Sequence, residues 1–215
     1  FSIIEHDVIV EDDVEIGNYC QVKSGSVIKK GSIIKNNVSI GCNNIIHSNC
    51  QIDSFCSIMD NNIFYSNTKI GSHTLVENNV TVKSSNNIGV HCILRDNVLV
   101  GESCKLTAYC ELRNNVILGE NTSFGSRCTI SANAVIGSNV TIKYGFVLTD
   151  TPNLLNGEHK EVEASRWYLY RCQCHTYAWV KIGKNCIIGA CSQVRSNIPD
   201  NEIWYGSPAR FHKKM

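Results

Sequence analysis

Charge is scarce in these 215 residues. Only 18% are Asp, Glu, Lys or Arg, and 20 basic against 19 acidic side chains leave a formal net charge of +1. Nothing in that balance points to a nucleic-acid partner or to an anionic membrane surface. Long apolar runs are missing too. No stretch approaches the roughly 20 residues needed to span a bilayer. The N-terminus carries no basic segment ahead of an apolar core, so no signal peptide is expected. Proline occurs three times. Asparagine is abundant and sits between short apolar pairs, a pattern of many tight turns. Twelve cysteines would suit a disulfide scaffold, but their spacing argues otherwise.

The chain repeats. Every sixth residue from Ile4 to Leu148 is Ile, Val, Leu or Phe, without exception over 25 positions. The period breaks there and resumes at Ile182, Ile188 and Val194. A helix has period 3.6 and a strand period 2, so a period of six needs a short strand plus a turn. Three such units close a triangular coil of 18 residues, and coils stack at the parallel-strand spacing of ~4.8 Å. The predicted fold is all-β: a parallel β-helix of about eight to nine coils with one inserted loop. Its parts are repeats at 3–148 and 179–199, a loop at 149–178 and a C-terminal segment at 200–215. The residue after the apolar anchor is often glycine (Gly17, Gly41, Gly71, Gly101), expected where the backbone turns sharply.

Cysteine fits this frame. Eight of the twelve stand four residues after an anchor, a second inward position with little room, among them Cys56, Cys92, Cys110 and Cys128. There Cys acts as a small buried hydrophobe. Parallel side-chain vectors in a column disfavour disulfides, and reduced thiols suit a cytoplasmic protein. Cys172 and Cys174 form a lone C-x-C with no second pair, a weak metal or redox signal.

The period-six pattern over 3–148 and 179–210 resembles the hexapeptide-repeat acyltransferases, whose fold is a left-handed β-helix. Two segments narrow the resemblance to nucleotide-sugar N-acetyltransferases. Ile182–Ala190 followed by Ile198-Pro199-Asp200 and Gly206-Ser207-Pro208-Ala209-Arg210 is similar to that family's C-terminal end, with Ser207 in place of an Asn. Val147-Leu148-Thr149-Asp150 resembles the segment where the chain leaves the helix as a long loop. The resemblance implies acetyl-CoA as co-substrate, a nucleotide-linked (UDP or dTDP) amino sugar as acceptor, a homotrimer with active sites between subunits, and no metal. CoA contacts would come from Gly189 and Ala190, from Ser192, and from Ser207 and Arg210. Lys181, Arg195 and Lys213 would meet its phosphates.

Acyl transfer to an amine needs a neutral amine, an acceptor for its proton and a stabiliser for the oxyanion. Histidine is the usual base. His159 and His175 lie in the loop stretch, and Asp150 stands at the motif position to hold the amine; these three are the catalytic candidates. His73, His91, Tyr109 and Arg127 recur at one per predicted coil, each three after its anchor. They form one outward column, a candidate wall for the nucleotide-sugar with Arg127 near a phosphate and Tyr109 beside a ring. The family places a catalytic Asn one coil below the loop. Here that position is Arg127, which cannot act as a base. His6 and His47, in early coils, are expected in solvent.

Other classes remain open. Sugar or serine O-acetylation is a variant of the same chemistry. A γ-type carbonic anhydrase needs three His around zinc, and His73 and His91 lack a third. A non-catalytic β-helix scaffold needs neither the long loop nor the CoA-type C-terminus.

Overall fold

The computed structural model describes residues 1–149, 162–164, 168–170, 173–177 and 180–215. They build a left-handed parallel β-helix of about ten turns. Its three faces are sheets of 11, 9 and 12 strands, parallel throughout except for the last strand of the third. Most strands are two residues long, and partners in adjacent coils stand about 18 residues apart, as in Ser57↔Leu75 and Ile58↔Val76. One residue of each pair points inward and the other outward. The inward anchors from Val22 to Leu148 are nearly inaccessible and form one continuous core.

The turns sit three residues after each anchor, where the backbone is left-handed. Of the 25 described non-glycine residues with positive φ, 13 are Asn, which explains the abundance of that residue. Its short amide tolerates this region better than most side chains. The glycines directly after the anchors serve another purpose. Gly71 is not left-handed, but a Cβ there would stand 2.7 Å from the Gly89 carbonyl carbon of the next coil. Glycine permits close stacking of coils at that place, and the sharp turn lies two residues later.

Where the second inward position is polar or Cys, it acts as a clip. Ser26 Oγ donates to the Gly41 carbonyl at 2.9 Å, Cys56 Sγ to Gly71 at 3.1 Å, Thr74 Oγ1 to Gly89 at 2.9 Å and Asn86 Nδ2 to Gly101 at 2.8 Å. Each bond satisfies a carbonyl that the turn takes out of the strand ladder. Cysteine is therefore a weak donor here as well as a small apolar group. The 11 described cysteines are all free thiols. Cys174 belongs to this set: it is buried and donates to the Gly189 carbonyl at 2.9 Å, so its half of the C-x-C pair is spent in the core. Cys172 lies outside the described residues.

The stretch read as one long loop contains three strands that keep the ladder. Val147 pairs with His175, Ala134 with Val162 and Thr141 with Leu169, each separated by more chain than one coil needs, and by the same surplus. Above them the spacing returns to a single coil, as in His175↔Gln193. The surplus therefore falls between Leu148 and Val162. At the far end, Glu202–Gly206 and Ala209–Lys214 form an antiparallel hairpin around a cis Ser207–Pro208 bond. Among the described residues, no helix is long and apolar enough to cross a membrane.

Candidate functional site

Identical left-handed turns, repeated once in every coil, aim successive side chains in the same direction. Along the edge between the third and first faces this makes a ladder of planar groups. Phe55 stacks on His73 at 4.9 Å, His73 on His91 at 4.8 Å and His91 on Tyr109 at 4.9 Å, all within 6° of parallel. The Arg127 guanidinium covers the far face of Tyr109 at 5.5 Å. Both faces of Tyr109 are thus taken, and it can offer a ligand only its edge. The column expected from the sequence is a contiguous, exposed surface feature.

The next rung is Gly145, which has no side chain. A cleft of about 500 Å³ opens there, lined by Arg127, Tyr144, Gly145, Gln173, His175 and Cys191. The register brings these groups together from four successive coils. Gln173 and Cys191 continue the ladder above the gap, with Cys191 Sγ 3.8 Å from Gln173 Oε1. His175 reaches the cleft from the outward position of its strand. Of the three catalytic candidates, His175 lies in this cleft, while Asp150 and His159 lie outside the described residues. Tyr144, Gly145, Gln173 and Cys191 were not singled out from the sequence. The signal for the last three is the column spacing carried across the surplus that follows Leu148.

A second cavity of about 380 Å³ lies at the same end of the prism, lined by Ile187, Gly189, Ala190, Ile203 and Tyr205. Gly189 and Ala190, expected near CoA, are in its wall. Ser192 is placed otherwise. Its side chain points into the prism, 1% exposed, and its hydroxyl accepts the Gly206 N–H at 3.1 Å, tying the C-terminal hairpin to the last coil. It is structural because the period puts it at the inward clip position. Ser207 is exposed, with Oγ 3.5 Å from Gln193 Oε1, and that same oxygen accepts from Arg195 Nε at 2.9 Å and Nη2 at 2.6 Å. Arg210 is exposed on the hairpin, its Nη1 3.4 Å from the Ala209 carbonyl. Lys181 precedes the Ile182 anchor, which the period assigns to the second face. The structure does not bring Lys181 to the edge that carries the cleft.

Away from this end, His47 is half-buried, stacked on Tyr65 at 4.8 Å with Nδ1 3.4 Å from Lys29 Nζ. Burial and then the Lys29 charge hold its pKa below the usual imidazole value. It is packed, not free in solvent as the sequence suggested. No group of three or more His, Cys, Asp or Glu among the described residues is arranged to hold a metal ion.

Among solved structures, the chain is similar to the Arabidopsis UDP-N-acetylglucosamine acyltransferase at 15% identity, covering 99% of this chain and 72% of that one with a TM-score of 0.56. It is similar to the Campylobacter jejuni UDP-N-acetylglucosamine acyltransferase at 17% identity, covering 98% and 74% with a TM-score of 0.38. Likewise it is similar to a polysialic acid O-acetyltransferase at 16% identity, covering 99% and 87% with a TM-score of 0.41. The first of these establishes a likeness of fold. No curated protein sequence matches. The family model described as the GMPPB C-terminal domain matches residues 58–168. That span takes in the ladder from His73 to Arg127 and the gap at Gly145, and ends before Gln173, His175 and Cys191. It covers just over half of the sequence, and the chain belongs to the GMPPB C-terminal domain family.

Proposed function

We propose that this protein is an acyltransferase that moves an acetyl group from acetyl-CoA to the amino group of a nucleotide-linked amino sugar. The observation that carries the reading is the cleft at Gly145, which gathers Arg127, Gln173, His175 and Cys191 from three coils beside the cavity at Gly189 and Ala190. A cation, an amide and an imidazole converging in one concavity are the groups that acyl transfer uses. The neutral amine attacks the thioester carbonyl and forms the C–N bond. His175 accepts the amine proton. The tetrahedral intermediate collapses, the C–S bond breaks, and CoA leaves as the thiol with that proton. The acyl donor lies against Gly189 and Ala190, with Ser207 and Arg210 at its polar end. His73, His91 and Tyr109 act here as a rigid stack under Arg127. The UDP-N-acetylglucosamine acyltransferase of like fold lends the sugar-nucleotide part its support.

The protein is also proposed to be a homotrimer. Outward positions of the second face are almost all apolar, including Ile45, Ile63, Leu99, Ile117 and Val135. The third face is mostly polar at the corresponding places, with Gln51, Lys69, Asn87 and Lys105. A monomer would leave the apolar stripe in water, and association by rotational symmetry would cover it.

The test is thiol release from acetyl-CoA with 2-, 3- and 4-amino sugars on UDP and dTDP, against a blank for the protein's own thiols. Release with one member, lowered about 10²–10⁴-fold in His175→Asn with CoA affinity kept, supports the reading. Release only with hydroxyl acceptors would make it an O-acetyltransferase. A non-catalytic scaffold is the second reading. Absence of CoA binding by calorimetry would put that reading first.

A further inference from the structure

The ladder on the cleft edge is unbroken over five coils and then skips one rung. Phe55, His73, His91, Tyr109 and Arg127 each present a flat group, and the rings repeat at 4.8 to 4.9 Å. Gln173 and Cys191 resume the column two and three coils above Arg127. The backbone does not skip: Gly145 donates to the Ser126 carbonyl at 2.9 Å and Gln173 to the Tyr144 carbonyl at 2.8 Å, as at the rungs from Phe55 to Arg127. Only a side chain is missing.

Crowding does not explain the glycine. A Cβ at Gly145 would meet nothing closer than Gln173 Cγ at 3.4 Å, an ordinary contact. Its φ of 71° does not demand glycine either, since Tyr109 and Arg127 hold φ of 59° and 60° on the same column. Beneath the gap lies the Arg127 guanidinium, its Cζ 5.5 Å over the Tyr109 ring, and Arg127 also lines the cleft. An amide stands above, and Tyr144 and His175 flank it.

We infer that the empty rung at Gly145 is a stacking slot for a planar heteroaromatic ring, a nucleobase, seated on the Arg127 guanidinium. Two coil steps separate the Arg127 and Gln173 levels, about 10 Å at the usual strand spacing. That spacing admits one ring between two flat groups. Stacking on guanidinium planes tolerates any base, because each has a π-face. The inference assigns Arg127 to the base through its face rather than to a phosphate through its charge, and it makes Gly145 the residue that admits the ligand. It rests on the reading of this cleft as the site of a nucleotide-using acyl transfer. The base would be the pyrimidine of the sugar nucleotide or the adenine of CoA.

The test is calorimetric titration of the full chain with UDP, dTDP and CoA, and separately with inorganic pyrophosphate. The variants are Gly145→His, which fills the rung with a ring of the kind already present below it, and Arg127→Lys, which keeps the charge and removes the plane. The expected result is binding of a nucleotide by the parent protein, weakened about tenfold or more in both variants, with pyrophosphate failing to compete. Loss confined to UDP or dTDP names the acceptor's base, and loss confined to CoA names adenine. Parent-like affinity in Gly145→His with an unchanged melting temperature overturns the slot. If Gly145→His does not fold, parent-like affinity in Arg127→Lys overturns it instead. No nucleotide binding by the parent protein also overturns it. Glycine-dependent binding without turnover of any amino sugar would remove the acyl-transfer reading and leave the slot standing.

Discussion

Asn115 offers a direct measure of what the repeated left-handed turn costs. Its φ is 61°. Its amide lies in a ladder, accepting from Asn97 Nδ2 at 3.1 Å and donating to Asn133 Oδ1 at 2.9 Å. Asn115→Ala and Asn115→Gly both remove those exposed amide bonds, which are worth about 1 kcal/mol together at the low end of the usual range. They differ in the backbone. A left-handed Ala is disfavoured by roughly 1–2 kcal/mol. Gly avoids that strain but loses roughly 0.5–1 kcal/mol of extra chain entropy on folding. Asn115→Ala should thus be less stable than the parent by about 2–3 kcal/mol, and Asn115→Gly by about 1.5–2 kcal/mol. For a chain of this size the difference between the two is about 2–4 °C in melting temperature. Urea denaturation followed by far-ultraviolet circular dichroism, with thermal melts alongside, would read both. The order is the reverse of that in a helix or strand interior, where Ala outranks Gly. If Asn115→Ala proves as stable as Asn115→Gly or more so, the account of asparagine as the left-handed turn residue is refuted.

Thr176→Val should stabilise the protein by about 1 kcal/mol, because the Thr176 hydroxyl is buried with no hydrogen-bond partner and leaving such a group unpaired is costly; a lowered melting temperature would contradict this. Brief alkylation of the native protein, mapped by mass spectrometry, should modify exposed Cys191 first among the described cysteines and half-buried Cys42 more slowly. Cys56, whose thiol burial pushes up to about 11, should stay unmodified until unfolding. Asp53 is partly buried, which alone would raise its pKa, but hydrogen bonds from Lys35 and Gln51 and the Lys35 and Lys69 charges hold it below the usual carboxylate value. Its contribution to stability should therefore be fully present above the ordinary carboxylate range and fade as pH falls through the depressed value. Asp53→Asn should flatten that part of the acid limb in a stability-against-pH series, and an unchanged limb would argue against the pairing.

The period of six, the inward anchors and the column of His73, His91, Tyr109 and Arg127 were all legible in the sequence. Each follows from local geometry repeated without change, so that counting residues amounts to locating them in space. The same arithmetic stopped at Leu148 because the residues at the anchor positions after the insertion, Ala164, Tyr170 and Thr176, are not the bulky aliphatics that mark the period elsewhere. Only hydrogen-bond register reveals that the ladder continues there. The role of the glycines was hidden for a related reason: whether glycine serves a turn or a close approach depends on the coil packed above it, a full turn of the chain away. Ser192 resembles a ligand contact in its motif, yet its period position turns it into the core. The cleft depended on tertiary structure most of all. Gly145 is unremarkable in sequence, and it becomes an opening only because four coils stack their turns in register, leaving one rung empty between Arg127 and Gln173 and placing His175 beside it.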